Sequence, residues 1–482
     1  MKIINRFWLS VLAFCYVALS FSQTIQSGEN QAIAEFKDLN EGWNTLKPGG
    51  ETMCARGTEY EFHVRPASSE KILVVLFGGG ACWDAKSCDT SNRLMVHRLG
   101  QGLGIADFDG ILNFKHPENP FKDYTIIAVP YCTGDVHFGN RDVVYTKETA
   151  DGKVEEFTVH HRGKVNTFSA IEWIQKNIKS PKEIFVTGFS AGAIASPFYA
   201  SYLAQHYRNA QVTSLSDDSG SFNETIAQAG DPSQWGLPNT LNTFPGWEKL
   251  RSTSGFDEFV ILASKSAENL KLFQVNHAFD HVQASNIKLT SIQDPNVFEL
   301  IQETDKNIKA EVPHFKSNLI GGNKHTSIQL YSFYGYQSNG IRLRDWVADI
   351  ALGKEVDNVH CNPCERPELV FTKDDLKALE EIQKLLKKET WGADPPGKCD
   401  ANSKTIGLRC AIVEVYKGKI NNLNLPLTVI ELGYTAAQKM NKESTLGSAL
   451  EYSLLPTTSF EDVMEMLDEV KLKIEVNLNT IE

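Results

Sequence analysis

Gly188-Phe189-Ser190-Ala191-Gly192 sets one serine between two glycines, after the apolar run Ile184-Phe185-Val186 and before the helix-like stretch Ala193–Ala200. Strand, tight turn and helix is the setting in which G-x-S-x-G forms a nucleophile elbow, a strained turn whose neighbours must be small. A serine hydroxyl is a weak nucleophile at neutral pH, so the motif requires a histidine to take its proton. The histidine in turn requires a carboxylate to hold its tautomer, and the developing oxyanion requires preorganised N–H donors. On this type of elbow the chain order is Ser, then Asp or Glu, then His.

The histidines downstream of Ser190 are His206, His277, His281, His314, His325 and His360. His325 lies in Gly321-Gly322-Asn323-Lys324-His325-Thr326-Ser327, a glycine-rich loop late in the chain that reads as flexible and suits a catalytic base. The candidate acids are Asp217 and Asp218 after one apolar run and Asp280 after the next. Asp280 is preferred, because the acid usually follows a later strand than the one beside the elbow. His277 and His281 flank Asp280, so spacing leaves open an arrangement with one of them as base. Gly78-Gly79-Gly80-Ala81 ends the apolar run Ile72–Phe77, where glycines let backbone N–H groups approach a substrate oxygen.

Positioning such a set takes a mostly parallel sheet. Ile72–Phe77, Tyr124–Pro130, Ile184–Val186, Val212–Leu215 and Leu270–Val275 read as strands, and Val165–Ile178 has helical spacing. Alternation of strands with helices predicts an α/β-hydrolase-like layered fold. Residues 23 to about 48 read as a poorly ordered lead-in. After Cys364 the texture becomes helical: Thr372 and Asp375 form a capping box before Leu376, Leu379, Ile382 and Leu386. Asp394-Pro395-Pro396-Gly397 ends that stretch, and a later helix starts near Thr458 or Ser459 with Phe460, Val463, Met464, Leu467 and Val470 on one face. The expected organisation is a signal peptide over 1–22, an esterase-like domain over 23–364 and a small helical domain of open role over 365–482.

The chain has 482 residues, 41% hydrophobic and 22% charged, which is the balance of a globular protein with a sizeable core. A formal net charge of −12 argues against nucleic acid or an anionic membrane as the main partner. The twelve histidines show no metal-site spacing, and a serine-histidine-carboxylate mechanism requires no cofactor. Lys2 and Arg6 precede an apolar run from Phe7 to Phe21 and small residues near Ser20 and Ser22, the pattern of a secretory signal peptide. That places the chain outside the cytoplasm, secreted or periplasmic, with no later segment apolar enough to span a bilayer. Cleavage removes Cys15 and leaves eight cysteines, an even number suited to disulfides: Cys54, Cys82, Cys88, Cys132, Cys361, Cys364, Cys399 and Cys410. Cys361 and Cys364 lack the matching second half of a zinc site.

Taken together, five segments carry a resemblance: Gly78-Gly79-Gly80-Ala81-Cys82-Trp83 with Cys88 beyond it; Val129-Pro130-Tyr131-Cys132-Thr133-Gly134-Asp135-Val136; Gly188–Ala193; Asp218-Ser219-Gly220; and Phe279-Asp280. In this order they resemble the pectin acetylesterase and Notum family of secreted carboxylesterases over roughly residues 50–350. The resemblance implies Ser190 as nucleophile, Asp280 as acid and His325 as base, with the N–H groups of Gly79, Gly80 and Ala191 as oxyanion donors. It implies disulfides Cys54–Cys132 and Cys82–Cys88, and leaves Cys361 and Cys364 for each other or for the tail. The substrate it implies is an acyl ester, foremost an acetylated polysaccharide, with long-chain acyl or acyl-protein deacylation, or non-catalytic carbohydrate binding, as the alternatives. The chain departs from the family in its oxyanion loop, where Phe77 and Gly80-Ala81 replace the usual acidic and aromatic residues, and in Ala193 where a glycine is common.

Overall fold

Five consecutive strands of one sheet deliver their C-terminal ends to the same edge of the molecule, and every candidate catalytic residue lies just past one of those ends. In this computed structural model the described residues are 33–481 except 93, 102–103, 224–231, 290–291, 393–398, 400–404, 418–424, 443 and 445–447. Residues 1–22, expected to be a signal peptide, and the expected break at 394–397 lie outside them.

The sheet has nine strands: β1 (Asn44–Leu46), β2 (Phe62–Arg65), β3 (Ser68–Leu76), β4 (Tyr124–Val129), β7 (Glu183–Phe189), β8 (Gln211–Asp217), β9 (Leu270–His277), β10 (Lys316–Ile320) and β13 (Val359–His360). Their spatial order is β1-β2-β4-β3-β7-β8-β9-β10-β13. Pairing is parallel from β4 to β13, while β2 runs antiparallel to β1 and β4. A hairpin of β5 (Arg141–Glu148) and β6 (Val154–His161) and a small sheet of β11 (Tyr336–Ser338), β12 (Ile341–Arg342) and β14 (Glu368–Leu369) lie outside it. This is the α/β-hydrolase-like architecture the sequence predicts.

The predicted strands and the Val165–Ile178 helix are all present, the helix as α1 (Gly163–Asn177). Central strands read clearly because both faces are covered: Ile72, Leu73, Val74, Val75 and Leu76 of β3 are wholly buried, as are Ile126–Val129 of β4. The lead-in expectation is corrected for residues 33–48. Phe36 packs against Trp173 of α1 with the rings tilted, and Asn44–Leu46 adds an edge strand to β2, anchored by Asn44 Nδ2 on the Val64 carbonyl. A three-residue strand has too few side chains to show a period.

The helix α2 (Ala191–His206) contains Pro197, which has no N–H for the carbonyl of Ala193 one turn earlier. The hydroxyls of Ser196 and Ser216 donate to that carbonyl instead, at 3.0 and 2.9 Å. The elbow helix therefore continues through its proline, buried on nearly every side.

Beyond β14 the chain is helical. The capping box at Thr372 and Asp375 opens the helix Lys373–Leu385, and Ser459 caps the long helix Phe460–Ile481 by accepting from Asp462 N. On that long helix Val463, Met466, Leu467, Val470 and Ile474 are fully buried, so the inward stripe runs through Met466 and not the expected Met464. All four cysteine pairs are bonded: Cys54–Cys132, Cys82–Cys88, Cys361–Cys364 and Cys399–Cys410. No helix among the described residues is long and apolar enough to cross a membrane.

Candidate active site

Ser190 follows β7 directly and has φ 55° and ψ −124°, a left-handed backbone conformation that costs a non-glycine residue about 1–3 kcal/mol. Its surroundings hold it there. Ser190 N donates to the Asp217 carbonyl at 2.9 Å, and Ser219 Oγ donates to the Ser190 carbonyl at 2.7 Å. The glycines are sterically required: a Cβ on Gly188 would meet the Gly192 carbonyl oxygen at 2.1 Å, and one on Gly192 would meet the Leu76 carbonyl oxygen at 2.1 Å.

β3 and β7 are neighbours, with Leu76 opposite Gly188, so the Gly78–Gly80 loop and Ser190 emerge side by side. A Cβ on Gly78 would lie 2.6 Å from that of Ser190. Gly79 and Gly80 have φ of 158° and 76°, and a Cβ on Gly80 would collide with the Leu94 carbonyl. The start of this loop is held by His137, which sequence reasoning missed. Its Nε2 is 2.9 Å from the Phe77 carbonyl, which can only accept, so Nε2 carries the proton and Nδ1 accepts from Thr167 Oγ1. Burial pushes this imidazole down to about 4, so it stays neutral and in that tautomer. The signal available in the sequence was only its place after the Val129–Val136 motif.

Asp280 stands at the N-terminus of the helix His281–Lys288. Its Oδ1 accepts from Val282 N and Gln283 N, and its Oδ2 from Gln283 Nε2 at 2.9 Å and His325 Nδ1 at 2.6 Å. Nδ1 therefore carries the proton, leaving Nε2 of the neutral ring as the lone-pair nitrogen. Nε2 has no hydrogen-bond partner among the described residues. Burial works to lower the His325 pKa, but the charge and hydrogen bond of Asp280, with Asp218 and Asp217 behind it, raise it to about 9. Burial opposes ionisation of Asp280, and His325 overcomes it, holding the carboxyl below its ordinary value.

The loop carrying His325 follows β10 and is not the flexible segment the glycines suggest. Asp217 Oδ2 accepts from Ser327 N at 2.8 Å and Ile328 N at 3.0 Å, and Asp218 Oδ2 accepts from Thr326 N at 2.5 Å. Both carboxylates are fully buried and anchor the residues after His325 to the end of β8. The next residues form a turn and a short 3₁₀ helix, Tyr331–Tyr334.

The rival pairing exists, between side chains that do not line the cavities at Ser190. His277 Nδ1 lies 2.7 Å from Asp218 Oδ2, and its Nε2 lies 3.3 Å from Ser327 Oγ. All three side chains are completely buried. Asp218 counteracts the lowering effect of burial on His277 and leaves its pKa raised. His281 is tied by Nδ1 to the Asn323 carbonyl, and His206, His314 and His360 are not among the residues lining the cavities at Ser190. Asp218, Asp280 and His325 place donor atoms within 4.8 Å of one another, one of two such clusters among the described residues, the other containing the disulfide-bonded Cys82 and Cys88 with His161. Those carboxylates are already saturated by N–H donors, which suits a proton-transfer site.

Two cavities meet at Ser190 and His325. One, of about 150 Å³, is mainly apolar, with Ala81, Val136, Phe138, Ala191, Ile194, Trp235, Leu237 and Phe256 among its lining residues. The other, of about 380 Å³, mixes aromatic and polar groups, among them Phe77, Tyr131, Lys324, Gln329 and Tyr336, and runs past Gly78–Gly80. Ser190 and His325 line both.

The Pectinacetylesterase family matches residues 46–329 of the chain. Pectin acetylesterase 5 of Arabidopsis thaliana is 23% identical over 251 residues, covering 49% of this chain and 56% of the plant protein. Palmitoleoyl-protein carboxylesterase NOTUM of Drosophila melanogaster is 33% identical over 92 residues, 18% of this chain and 14% of the fly protein. NOTUM of Schmidtea mediterranea is 28% identical over 94 residues, 18% of each chain. The chain thus spans about half the length of the plant relative and a smaller share of the NOTUM proteins.

Proposed function

The chain belongs to the pectinacetylesterase family, and from that premise we propose that it is an extracytoplasmic serine carboxylesterase that removes short acyl groups, foremost acetyl, from polysaccharide esters. The observation that carries this reading is the Asp280–His325 pair at 2.6 Å opening on the cavity that Ser190 also lines.

In the proposed mechanism Ser190 Oγ attacks the ester carbonyl while His325 Nε2 takes its proton. Asp280 holds the Nδ1 proton and stabilises the imidazolium as it forms. Negative charge on the tetrahedral intermediate is met by the N–H groups of Gly79, Gly80 and Ala191. His325 returns the proton to the leaving alkoxide, the C–O bond breaks and an acyl group remains on Ser190. Water, deprotonated by His325, then releases the carboxylate and restores the serine.

The apolar cavity supports a short acyl group. At about 150 Å³ it matches the size of site that holds a benzene-sized guest, which suits acetyl or its near homologues and is small for a long fatty acyl chain. Four disulfides are consistent with an oxidising compartment.

Ser190→Ala tests the assignment with p-nitrophenyl acetate and an acetylated polysaccharide. Loss of kcat by about 10⁴ or more is expected, because removing a triad nucleophile leaves only binding and the oxyanion hole. A loss of only a few-fold refutes it. A series of p-nitrophenyl esters should peak at short chains, and an optimum at long chains would instead favour lipid or acyl-protein deacylation.

A further inference from the structure

The larger cavity at Ser190 is lined in part by residues that lie beyond the family-matched region. Leu425 and Ile430 line it together with Gln329, Lys324 and the Gly78–Gly80 loop, although the family match ends at residue 329. Ile430 belongs to the helix Leu427–Lys439 and is 5% exposed, so this wall is an integral part of the packed structure.

The same C-terminal segment grips the His325 loop at several points. Asn323 Nδ2 donates to the Ser444 carbonyl at 2.6 Å, and the Lys324 ammonium lies 5.7 Å from the centre of the Tyr434 ring. Tyr434 packs so closely on Gly322 that a Cβ there would come within 2.3 Å of its hydroxyl. Arg366 pairs with the buried Glu431 and also faces the Tyr434 ring.

Both cavities are mainly apolar, and the larger also carries Lys324 and Gln329 beside its aromatic faces. The smaller is assigned above to the acyl group. Gln329, which lines the larger cavity, is 3% exposed; its Nε2 donates to Thr326 Oγ1, and its Oε1 is enclosed with no hydrogen-bond partner among the described residues. A buried acceptor left unpaired costs free energy that a donor from a ligand would recover. Aromatic faces beside such an acceptor suit a hydroxylated ring.

We propose that the larger cavity is the subsite for the alcohol half of the ester, a hydroxylated sugar-like group, and that Leu425 and Ile430 of the C-terminal helical segment are specificity-determining residues forming its far wall. This rests on the carboxylesterase reading of Ser190. The C-terminal segment is then more than a packing appendage, since it decides which alcohols reach the serine.

The test compares two acetate esters with the full-length enzyme: 6-O-acetylglucose, whose alcohol is a sugar with its other hydroxyls free, and p-nitrophenyl acetate, whose alcohol is a flat aromatic. Leu425 is only partly buried, so Leu425→Trp narrows the cavity and Leu425→Ala widens it with limited risk to folding. Leu425→Trp should lower the ratio of kcat/KM for the sugar ester over the aromatic ester by about tenfold, chiefly through KM, and Leu425→Ala should move the ratio by a smaller amount. The preference between acetate and butyrate esters of p-nitrophenol should stay as in the parent. A ratio unchanged in both variants, with thermal unfolding intact, overturns the proposal. A changed acyl-length preference also overturns it, by giving this cavity to the acyl chain. If the parent enzyme hydrolyses neither ester, or Ser190→Ala retains activity, the esterase reading itself fails, an outcome distinct from an unchanged ratio.

Discussion

His325 can accept a proton from Ser190 only when its ring is neutral, and Asp280 works against that in the resting enzyme. With its pKa raised to about 9, the imidazole is mainly protonated at neutral pH. The kcat/KM for p-nitrophenyl acetate should therefore climb with pH, reach half its plateau near 9 and level off above that, the neutral form being the active one. Asp280→Asn removes the charge that raises the pKa and leaves the burial that lowers it. Its residual activity should be lower by about 10⁴, as when a triad carboxylate is lost, and its pH limb should lie at lower pH than the parent's. A limb that stays in place would separate Asp280 from the titration. The same shift affects stability. The folded-state pKa lies above the ordinary 6.5, so the stability from protonated His325 is complete below 6.5 and is lost as pH rises towards about 9. Denaturant titrations of inactive Ser190→Ala across that window should show the decline, and stability that rises there would contradict the pairing. At this scale order and loop type put Ser190, Asp280 and His325 forward as candidates and left His277 and His281 open as bases; the family resemblance chose among them. The function of Asp217 and Asp218 was not legible, because their oxygens accept from backbone amides 108–111 residues away.

The elements explain why the elbow tolerates so little change. β3 and β7 run side by side, and the turns leaving them approach so closely that glycine is the only fit at positions 78, 188 and 192. Gly188→Ala brings a methyl group to 2.1 Å from a backbone oxygen that the following helix cannot move. Such overpacking should cost about 3 kcal/mol and lower the unfolding midpoint in denaturant; a variant as stable as the parent would show that the elbow can relax. The central strands were readable because burial on both faces makes them continuously apolar. The β5–β6 hairpin escaped because it is rich in charge and largely exposed, as its Glu155-Glu156 and exposed Val144 and Val154 show. The edge strands β1 and β13 escaped through brevity, and their place is set by pairing with distant partners.

Across the whole molecule, covalent links and the C-terminal helices brace the face that carries the cavities. Cys54–Cys132 closes a loop of 78 residues, and Cys82–Cys88 follows directly on the Gly78–Gly80 loop. Replacing Cys54 and Cys132 by alanine should cost about 4 kcal/mol through the loop entropy returned to the unfolded chain, read as a lower Tm. An unchanged Tm would show that packing alone holds the N-terminal strands. Leu467, wholly buried on the long terminal helix, should cost about 2–5 kcal/mol when cut to alanine. The helical texture after Cys364 was legible from capping boxes and apolar spacing, but its role was not, since Leu425 and Ile430 reach the site only through tertiary packing. The central claim is that an acyl group passes through Ser190. Its most direct test is to quench the enzyme during turnover of p-nitrophenyl acetate and map the protein by mass spectrometry. The account predicts acetyl on the peptide containing Gly188–Gly192, at Ser190, absent in Ser190→Ala. Turnover without acylation of Ser190, or acylation at another serine such as Ser327, would contradict it.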